Sequence, residues 1–423
     1  TLCEVNVKKK VLVLSDHPFS FSGVGIQTRY FIEAILKSGK YQVMALGGAI
    51  KHADYKPIKT QEYGDDFIIH PVDGYGTPDL IRSVVRAYKP DVVWFMTDPR
   101  FWEWLWQMED EIRPLCPMVY YHVWDNYPYP QFNAPFYKSN DMIVTISKLT
   151  DDIVKTVVPE VKSSYLPHAV DTNIFKVLDE ATNKNNRENS FGKNKDRFIF
   201  FWNNRNARRK MSGSIVYWFN NFLNKVGRDK AMLLMHTNPK DENGQDLEAI
   251  AKDLGMNSDE ILFSGSKLNF DQLAALYNMV DCTINISDAE GFGMATMESI
   301  CCGTPIIVNM TGGLQEQVTD GKKWFGIGIK PASKAVIGSQ QVPYIYEDRV
   351  SEEDFIKALE TMISMPEDKR KKMVTEGREY ISKKYGFESF NKRWVEIMDQ
   401  VVEENGSWDT RKNYERWSLQ EVK

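Results

Sequence analysis

Continuous apolar runs alternate along this chain with segments whose apolar residues recur at helical spacing. The first run, KKKVLVLSD at 8–16, is bounded by charged residues and predicts a strand buried on both faces of a parallel sheet. After Gly25, apolar residues recur every three or four positions as far as Gly39, and a second apolar run, YQVMALGG, follows. A strand, a glycine loop, a helix and a strand in this order predict the start of a doubly wound α/β domain.

The same alternation of strand and helix patterns occurs twice along the chain. Between the two series, residues 176–197 are polar and almost free of large apolar side chains, which is typical of a linker. We therefore predict an N-terminal Rossmann-like domain over 1–175 and a C-terminal Rossmann-like domain over 198–387. A length of 423 residues agrees with two domains of ordinary size.

The composition is that of an ordinary globular protein, with 42% hydrophobic and 26% charged residues. A formal net charge of −5 gives the chain no general attraction to nucleic acid or to an anionic membrane. Five cysteines without a C-x-x-C pair are typical of reduced thiols rather than of a disulfide framework or a zinc site. No apolar run has the length of a signal peptide or of a membrane span, so we expect a cytoplasmic location.

The most informative stretch is DAEGFGMATMESICCGTPII at 288–307, in which two glutamates flank a glycine turn. A helix starting near Met294 would carry Glu298 in its second turn and leave Glu290 in the loop before it. Because N–H groups at a helix N-terminus attract anions, a diphosphate fits between the two carboxylates. The carboxylates would then accept hydrogen bonds from a sugar and from a ribose. A charged turn and a solvated helix face explain the same residues without any ligand.

Other segments also carry candidate ligand-binding groups. The segment NNRNARRK follows a buried strand, where Arg205 and Lys210 can meet the phosphates of a ligand. The SGVG loop at 22–25 permits close approach of the backbone to a phosphate or a sugar. His122 ends an apolar strand, and the aromatic loop that follows can stack on sugars or on nucleobases. A solvated charge run, an ordinary turn and core packing are the alternative explanations.

Together these segments resemble the retaining GT-B glycosyltransferases, specifically glycosyltransferase family 4, also called group 1. The most specific element of the resemblance is the E-x7-E pattern from Glu290 to Glu298, followed by the Arg-x4-Lys segment. The chain differs from the family pattern at Ser22 and Ala169, where glycine is usual. The resemblance implies an α/β GT-B fold, with two Rossmann-like, doubly wound domains that face a central cleft. A C-terminal helix at about 388–423 would complete the first domain.

The resemblance also implies roles for individual residues. Arg205 and Lys210 would hold the donor diphosphate and neutralise the leaving group, as a metal does in other glycosyltransferases. Glu290 would bind the transferred sugar, Glu298 the ribose of the nucleotide, and His122 the transferred sugar near the reacting centre. The implied catalytic residues are thus His122, Glu290, Arg205 and Lys210, and the implied donor-binding residues are Gly23, Gly25, Arg205, Lys210, Glu290, Gly291, Phe292, Gly293, Met294 and Glu298.

The implied activity is a retaining, metal-independent transfer of a hexose-type sugar from a nucleotide-diphosphate sugar, with UDP or GDP favoured, to an acceptor hydroxyl. No D-x-D motif is present, so we expect neither a metal nor a cofactor apart from the donor substrate. Without a basic amphipathic helix in the first domain, we expect a soluble acceptor: a saccharide, a metabolite, a protein or a nucleobase. The acceptor candidates are Trp124, Asp125, Asn126 and Tyr127.

Several alternatives stay open at this point. A nucleic-acid acceptor is a minor alternative, because the aromatic loop could stack a flipped base. A GT-B-like nucleotide-sugar 2-epimerase would use the same carboxylates and histidine, but it needs no second substrate. A non-catalytic nucleotide-sugar binding protein is the third alternative. The oligomeric state does not follow from the sequence.

Overall fold

The computed structural model describes residues 6–422, and their contacts divide the chain into two compact units. Unit 1 contains the chain as far as Ala169, the short segment Gln340–Pro343 and the chain from Phe387 onward. Unit 2 contains Val170–Ser339 and Tyr344–Gly386.

The strands and helices of unit 1 alternate along the chain, as the apolar pattern predicts. The strands are β1 (Lys9–Asp16), β2 (Tyr41–Gly48), β3 (Ile58–Lys59), β4 (Phe67–Pro71), β5 (Val92–Thr97), β6 (Met118–His122), β7 (Met142–Thr145) and β8 (Ser163–Tyr165). The helices are α1 (Gly23–Lys37), α2 (Pro78–Tyr88), α3 (Glu103–Trp106), α4 (Glu109–Ile112), α5 (Ala134–Tyr137) and α6 (Lys148–Val157). Short 3-10 turns occur at Gly64–Asp66, Pro99–Phe101 and Gln131–Asn133.

The sheet of unit 1 has the order β3-β4-β2-β1-β5-β6-β7-β8 in the described residues. Its strands run parallel except for β3, which pairs antiparallel with β4 at the edge. Residues 11–16 of β1 are buried, because this central strand has helices on both faces of its sheet. The two strands next to β1 are β2 and β5, so the strand order reverses at β1.

Unit 2 repeats the same architecture. Its strands are β9 (Phe198–Asn203), β10 (Ala231–His236), β11 (Ile261–Ser264), β12 (Cys282–Asn285), β13 (Ile306–Asn309), β14 (Gly326–Ile329), β15 (Ser333–Ile337) and β16 (Ile345–Arg349). Its helices are α7 (Glu180–Phe191), α8 (Ser212–Val226), α9 (Leu247–Asp253), α10 (Phe270–Met279), α11 (Met294–Cys301), α12 (Glu352–Ser364) and α13 (Glu367–Tyr385). Its 3-10 turns are Gly192–Asn194, Arg208–Lys210 and Gly312–Glu316.

The main sheet of unit 2 is parallel and has the order β11-β10-β9-β12-β13-β14, which corresponds to the 3-2-1-4-5-6 order of doubly wound nucleotide-binding domains. The strand order reverses between β9 and β12. Ligands of such sheets bind outside the carboxyl ends of the strands at this switch point. The loops that follow β9 and β12 carry the Arg-x4-Lys and E-x7-E segments, so the topology brings both segments to one place. The strands β15 and β16 form a separate antiparallel hairpin.

The last long helix, α14 (Phe387–Asn405), belongs to unit 1 although it follows the helices of unit 2. It packs against α1 through an aromatic cluster. The ring of Phe31 stacks on Trp94 with centroids 4.1 Å apart, and the Trp394 ring lies edge-on at 4.7 Å from Phe31 and 4.9 Å from Tyr121. The apolar stripe of this helix in the sequence is its buried face. A final 3-10 turn, Trp408–Thr410, follows.

The polar segment predicted as a linker contains helix α7. Asp179 caps its N-terminus by accepting a hydrogen bond of 2.8 Å from the Thr182 amide. Near the other end, the Arg187 guanidinium donates to three backbone carbonyl oxygens and pairs with Asp281 at 3.0 Å. One half-buried arginine thus orders a segment with few apolar residues, which a hydrophobicity pattern cannot predict.

Within residues 6–422, no helix combines the length and the apolar character that crossing a membrane requires. Four of the cysteines, Cys116, Cys282, Cys301 and Cys302, are buried free thiols. The fifth, Cys3, lies outside the described residues.

We expect Trp394→Ala to lower the free energy of unfolding by about 3–5 kcal/mol, because it removes one of the two tryptophan side chains of the aromatic cluster. Urea unfolding followed by circular dichroism measures this loss. Lys392→Ala, which changes an exposed residue of the same helix, is the matched control. Equal stability of the two variants would contradict the packing described for α14.

Candidate functional site

The centre of the site in unit 2 is a buried ion pair between Lys210 and Glu290. The Lys210 ammonium contacts the Oε2 atom of Glu290, and the two side chains are only 11% and 10% exposed. The same carboxylate oxygen accepts hydrogen bonds of 3.3 Å from the Asn285 amide and the Ser287 hydroxyl. Arg209 lies 3.7 Å from the other oxygen, Oε1. Opposite charges and polar hydrogens therefore surround the carboxylate of Glu290.

These neighbours keep Glu290 ionised. Burial alone would raise the pKa of its carboxyl, but the charges of Lys210 and Arg209 and the hydrogen bonds outweigh burial and lower the pKa to about 2. The side chain is therefore an anion at neutral pH. An anionic carboxylate accepts hydrogen bonds only, so it suits the hydroxyl groups of a ligand.

The loop that carries Lys210 is held by a buried asparagine, at one of the four positions that the Arg-x4-Lys pattern leaves unspecified. Asn206 is fully buried, accepts a hydrogen bond of 2.7 Å from the Ser212 hydroxyl and donates one of 2.7 Å to the Gln245 carbonyl. The loops after β9 and β12 are also joined directly. The Asp288 amide donates to the Arg209 carbonyl at 2.8 Å, and the Arg209 guanidinium donates to the Ala289 carbonyl at 2.6 Å. These bonds fix Lys210 relative to Glu290.

The glycine turn between the two glutamates is packed so closely that side chains are excluded. Gly293 has φ +90°, and a Cβ atom there would lie 2.4 Å from a methyl carbon of Leu314. Gly313 faces the turn, where a Cβ would come within 2.7 Å of the Gly291 carbonyl. The buried amide of Gln317 donates to the carbonyl oxygens of Phe292 and Gly293 at 2.8 and 2.9 Å. The segment 311–317 therefore shapes the turn.

Helix α11 begins at Met294, directly after this turn, and carries Glu298 in its second turn as predicted from the sequence. No side chain of the described residues caps its N-terminus at Gly293. Glu298 is buried beside the Tyr277 hydroxyl, which lies 3.5 Å from its Oε1 atom. Burial raises the pKa of the Glu298 carboxyl to about 8, so this side chain is largely neutral at pH 7. The two glutamates of the motif thus have opposite protonation states.

Arg205 lies apart from the buried ion pair. Its side chain is 64% exposed and its Nε atom pairs with Asp241 at 3.1 Å. The two cations of the loop thus differ in environment: Lys210 is buried against Glu290, while Arg205 is largely exposed and pairs with the half-buried Asp241.

A group of buried carboxylates lies beside Glu290 in unit 2. Glu347 of β16 pairs with Arg208 and, at 2.7 Å, with Arg349. Asp288 lies 3.9 Å from Arg349, and its backbone carbonyl accepts a bond of 2.8 Å from the Asp348 amide. Burial and the charge of Glu347 raise the pKa of Asp288 to about 6. These residues fasten the hairpin to the Glu290 loop, and the sequence analysis missed them.

The glycine loop of unit 1 starts helix α1. Ser22, where the family pattern has glycine, caps this helix: its hydroxyl accepts a hydrogen bond of 3.0 Å from the Gly25 amide and donates one of 2.6 Å to Asp16. Gly25 is packed so tightly that a Cβ would lie 2.0 Å from the Ser20 hydroxyl and 2.7 Å from the His17 carbonyl. Gly23, by contrast, has no atom within 4 Å of the corresponding position. The loop therefore has open space at Gly23 only.

The second difference from the family pattern is at Ala169, whose backbone is paired with the side chain of Gln27. The side-chain amide of Gln27 donates to the Ala169 carbonyl at 2.8 Å and accepts from the Ala169 amide at 2.9 Å. Both groups are buried. This paired hydrogen bond holds the end of unit 1 against helix α1.

His122 lies at the end of β6 and is completely buried. Its Nδ1 atom lies 3.1 Å from the Tyr120 hydroxyl and its Nε2 atom 2.6 Å from the Tyr137 hydroxyl. Because the Tyr120 hydroxyl donates to the Thr97 carbonyl, Nδ1 must carry the hydrogen and Nε2 must accept one from Tyr137. Burial lowers the pKa of the ring to about 3. Contact of this neutral ring with a sugar, as predicted, requires Tyr137 to move.

The acceptor candidates form a tightly bonded loop after β6. Trp124 is 3% exposed and its indole donates to the Asn126 carbonyl at 2.9 Å. Asn126 is also buried and its side chain accepts a bond of 2.9 Å from the Tyr127 amide. Tyr127 is half-buried and donates to Asp152 at 2.6 Å, while Asp125 is half-buried. Trp124 and Asn126 thus support the loop, and Asp125 and Tyr127 reach the surface.

Among residues 6–422, no group of three or more His, Cys, Asp and Glu side chains has the geometry of a metal site. The buried carboxylates near Glu290 are neutralised by arginines, as described above. Arginine is a poor neighbour for a bound cation because its charge repels one.

The comparison with known sequences identifies most of unit 2. Residues 184–380 match the sequence model of the family described as Glycosyl transferases group 1. These residues are thus similar to a group 1 glycosyltransferase domain. The match includes Arg205, Lys210, Glu290 and Glu298, so the site described above lies within the matched region.

Curated relatives match over short segments. The D-inositol 3-phosphate glycosyltransferase of Acidothermus cellulolyticus is 38% identical over 76 residues, which cover 18% of this chain and 16% of the relative. The enzyme of the same name from an Arthrobacter species is 26% identical over 113 residues, which cover 27% of this chain and 26% of the relative. The matched segments therefore span about a sixth to a quarter of the length of these relatives.

Solved structures are similar over nearly the whole chain. Sucrose-phosphate synthase from Thermosynechococcus elongatus superposes with a TM-score of 0.75 at 14% identity, covering 94% of this chain and 100% of that one. HepE from Anabaena, solved in complex with UDP and glucose, has a TM-score of 0.66 at 13% identity and covers 93% and 100%. The chain therefore has the α/β GT-B fold, with two Rossmann-like domains built on parallel sheets.

The two glycines of the SGVG loop should respond oppositely to alanine. We expect Gly25→Ala to lower the free energy of unfolding by roughly 1–3 kcal/mol, because the new methyl group overlaps His17 and Ser20. Gly23→Ala should be neutral or slightly stabilising, since a helical glycine in open space costs entropy on folding. Urea unfolding of both variants measures the difference, and equal losses would contradict the packing at Gly25.

Glu298 should make stability depend on pH. Its folded pKa of about 8 lies above the unfolded value, so the folded state binds more protons between about pH 4.5 and pH 8 and loses stability as the pH rises through this window. We expect Glu298→Gln to gain stability relative to the unchanged protein over this range, by roughly 1 kcal/mol per pH unit. Thermal unfolding at pH 5, 6.5 and 8 measures the gain. Glu353→Gln, at an exposed position, is the control. If the difference in stability between Glu298→Gln and the unchanged protein did not depend on pH, it would contradict the burial of a neutral carboxyl at Glu298.

Proposed function

We propose that this protein is a retaining, metal-independent glycosyltransferase that moves a hexose-type sugar from a nucleotide-diphosphate sugar to an acceptor hydroxyl. The observation that carries the proposal is the buried Lys210–Glu290 pair at the switch point of the unit 2 sheet. The pair lies in the region that is similar to a group 1 glycosyltransferase domain, with the glycine turn and the N-terminus of α11 next to it. Retention follows from the family resemblance.

The donor diphosphate is proposed to bind between the cationic loop and helix α11. Four of the six residues from 205 to 210 are arginine or lysine. Together with the backbone N–H groups at the start of α11, they supply the positive field that a diphosphate needs. When the bond between the sugar and the diphosphate breaks, negative charge grows on the leaving nucleotide, and these fixed cations stabilise it. This is the work that a metal would otherwise do.

The two glutamates are proposed to bind the two sugar rings of the donor. Glu290 is ionised and accepts hydrogen bonds from hydroxyls of the transferred hexose, while Lys210 keeps it charged and in place. Glu298 is neutral at pH 7 in the unliganded protein and can both donate to and accept from a ribose hydroxyl. Gly23 of unit 1, with Gly291, Phe292, Gly293 and Met294 of unit 2, is proposed to line the donor as the resemblance implies. Gly25 supports that loop through its close packing, and His122 would contact the transferred sugar only after Tyr137 moves.

UDP-sugars are the favoured donors. HepE from Anabaena was solved with UDP and glucose. A second similar structure, described as trehalose-6-phosphate from E. coli bound with UDP-2-fluoro glucose, has a TM-score of 0.67. At 13% and 11% identity these structures support the choice of nucleotide and leave the sugar open. GDP-sugars are the second choice.

A ligand-dependent thermal shift tests the donor site, because a ligand of the folded state raises the melting temperature. We expect UDP-glucose or another UDP-sugar to stabilise the protein and Arg205→Ala to reduce the shift. The paired variant Lys210→Met/Glu290→Gln should abolish turnover without leaving an unpaired buried charge, which either single change risks. Lys225→Met, an exposed lysine of unit 2, is the control. Normal turnover in the paired variant would refute the site, and a variant that unfolds is recognised by its melting curve.

A turnover assay with the UDP-sugar separates the proposed transfer from an epimerase and from a non-catalytic binding protein. A chelator should leave turnover unchanged, and strict dependence on magnesium would contradict a metal-independent transfer. Conversion of the UDP-sugar to its epimer without any acceptor would identify an epimerase. Binding of UDP-sugars with no chemical change, across a broad panel of acceptors, would identify a binding protein.

A further inference from the structure

We propose that strand β16 is a brace that holds the loop of Lys210 and the loop of Glu290 in position for the reaction. This inference rests on the proposed function and adds two positioning residues, Glu347 of β16 and Asn309 of β13. Both side chains are buried, with exposed fractions of 1% and 0%. β16 pairs with β15 in the separate hairpin of unit 2, and neither the E-x7-E nor the Arg-x4-Lys pattern includes any of its residues.

Glu347 connects β16 to the loop of Lys210. Its carboxylate pairs with Arg208, two residues before Lys210, and with Arg349 at 2.7 Å. The arginine side chains are 64% and 48% exposed, so the carboxylate is the enclosed partner. Because an unpaired charge away from water is costly, this carboxylate needs its arginines. The pairing therefore ties β16 to the 3-10 turn Arg208–Lys210.

Asn309 connects β16 to the loop of Glu290. Its side-chain amide donates a hydrogen bond of 2.9 Å to the Ser287 carbonyl and one of 2.7 Å to the Asp348 carbonyl. A direct bond lies beside this bridge, because the Asp348 amide donates to the Asp288 carbonyl at 2.8 Å. These bonds hold β16 against residues that lie only two and three positions before Glu290.

The two carboxylates of β16 act on different neighbours, because successive side chains of a strand point to opposite faces. Glu347 meets Arg208, whereas Asp348 accepts a hydrogen bond of 2.8 Å from the buried hydroxyl of Thr311. Thr311 begins the segment 311–317 that shapes the glycine turn. Two consecutive residues of one strand thus contact all three segments that build the donor site.

The brace should affect turnover more than donor binding. Lys210 is proposed to stabilise charge that appears on the leaving nucleotide only as the bond breaks, so its position matters most in the transition state. Donor binding also draws on the N–H groups at the start of α11, which loss of the brace leaves in place. We therefore expect removal of the brace to lower kcat and to change KM little.

Hydrogen–deuterium exchange of the full chain tests the brace without requiring any activity. Glu347→Ala and Asn309→Ala each remove one of its connections. In both variants we expect the backbone amides of 205–211 and of 285–291 to exchange about tenfold faster or more, because each loop opens more often. Val336→Thr changes an exposed residue of β15 in the same hairpin, and it should exchange like the unchanged protein.

Hydrolysis of UDP-glucose to UDP and glucose measures the effect on the reaction with water as the acceptor. We expect Glu347→Ala and Asn309→Ala each to lower kcat about tenfold or more and to change KM by less than about threefold. Glu347→Gln keeps an oxygen that accepts from the arginines and should restore part of the lost kcat. The double variant Glu347→Ala/Asn309→Ala should lose less than the product of the single losses, because both changes release the same strand.

The outcomes separate the brace from the proposed function. Faster exchange in both loops with a selective loss of kcat supports the brace. Unchanged exchange in either loop overturns it, as do faster exchange with normal kcat and single losses that multiply in the double variant. If the unchanged protein neither hydrolyses UDP-glucose nor shows a thermal shift with UDP-sugars, the proposed function fails and the exchange data alone decide the brace.

Melting curves show whether each variant folds. Glu347→Gln and Thr311→Val keep the size of the side chain that they replace, so they take the place of an alanine variant that unfolds. Thr311→Val removes the hydrogen bond to Asp348, and faster exchange of 285–291 with a lower kcat is again the expected result. Exchange and kcat equal to those of Val336→Thr would overturn the brace.

Discussion

The arrangement of unit 2 depends on keeping two opposite charges buried next to each other. Removing a lysine and a glutamate from water costs several kcal/mol for each ion, and attraction offsets this only when the remaining polar atoms are satisfied. Around Lys210 and Glu290, the hydrogen bonds from Asn285 and Ser287 meet that condition. The loops must therefore hold the pair in one geometry, which explains why so many buried polar side chains surround it.

The support for this pair comes from residues whose identity the recognisable motifs do not specify. Asn206 shapes the loop of Lys210, and Gln317 holds the glycine turn before α11 through two carbonyl oxygens. The glycines at 293 and 313 are needed because backbone and side chains approach where a Cβ would stand. The motif thus contains the groups proposed to face the ligand, while polar residues such as Asn206 and Gln317 supply the rigidity that a ligand site requires.

Unit 1 presents its chemistry differently. His122 is neutral, buried and bonded at both nitrogens, so it cannot exchange protons with a ligand directly at neutral pH. Its hydrogen bonds nevertheless lead through Tyr137 to Asn133 at the wall of a cavity. Of the two departures from the family pattern, Ser22 is explained by its role as the cap of helix α1. Nothing in the structure explains alanine at 169, where the bonds to Gln27 come from the backbone.

The sequence by itself determined the α/β architecture, because apolar runs and helical periodicity record which faces are buried. The family resemblance predicted a donor site that includes Lys210, Glu290 and Glu298, and the structure brings Lys210 into contact with Glu290 because the loops after β9 and β12 are neighbours at the switch point. Only the tertiary structure decided that Glu290 is ionised and Glu298 neutral, since the pKa of a carboxyl depends on the charges and burial around it. It likewise decided that His122 is enclosed and that α7 forms in a polar segment. These features rest on contacts between residues far apart in sequence, such as Arg187 with Asp281, which no local pattern contains.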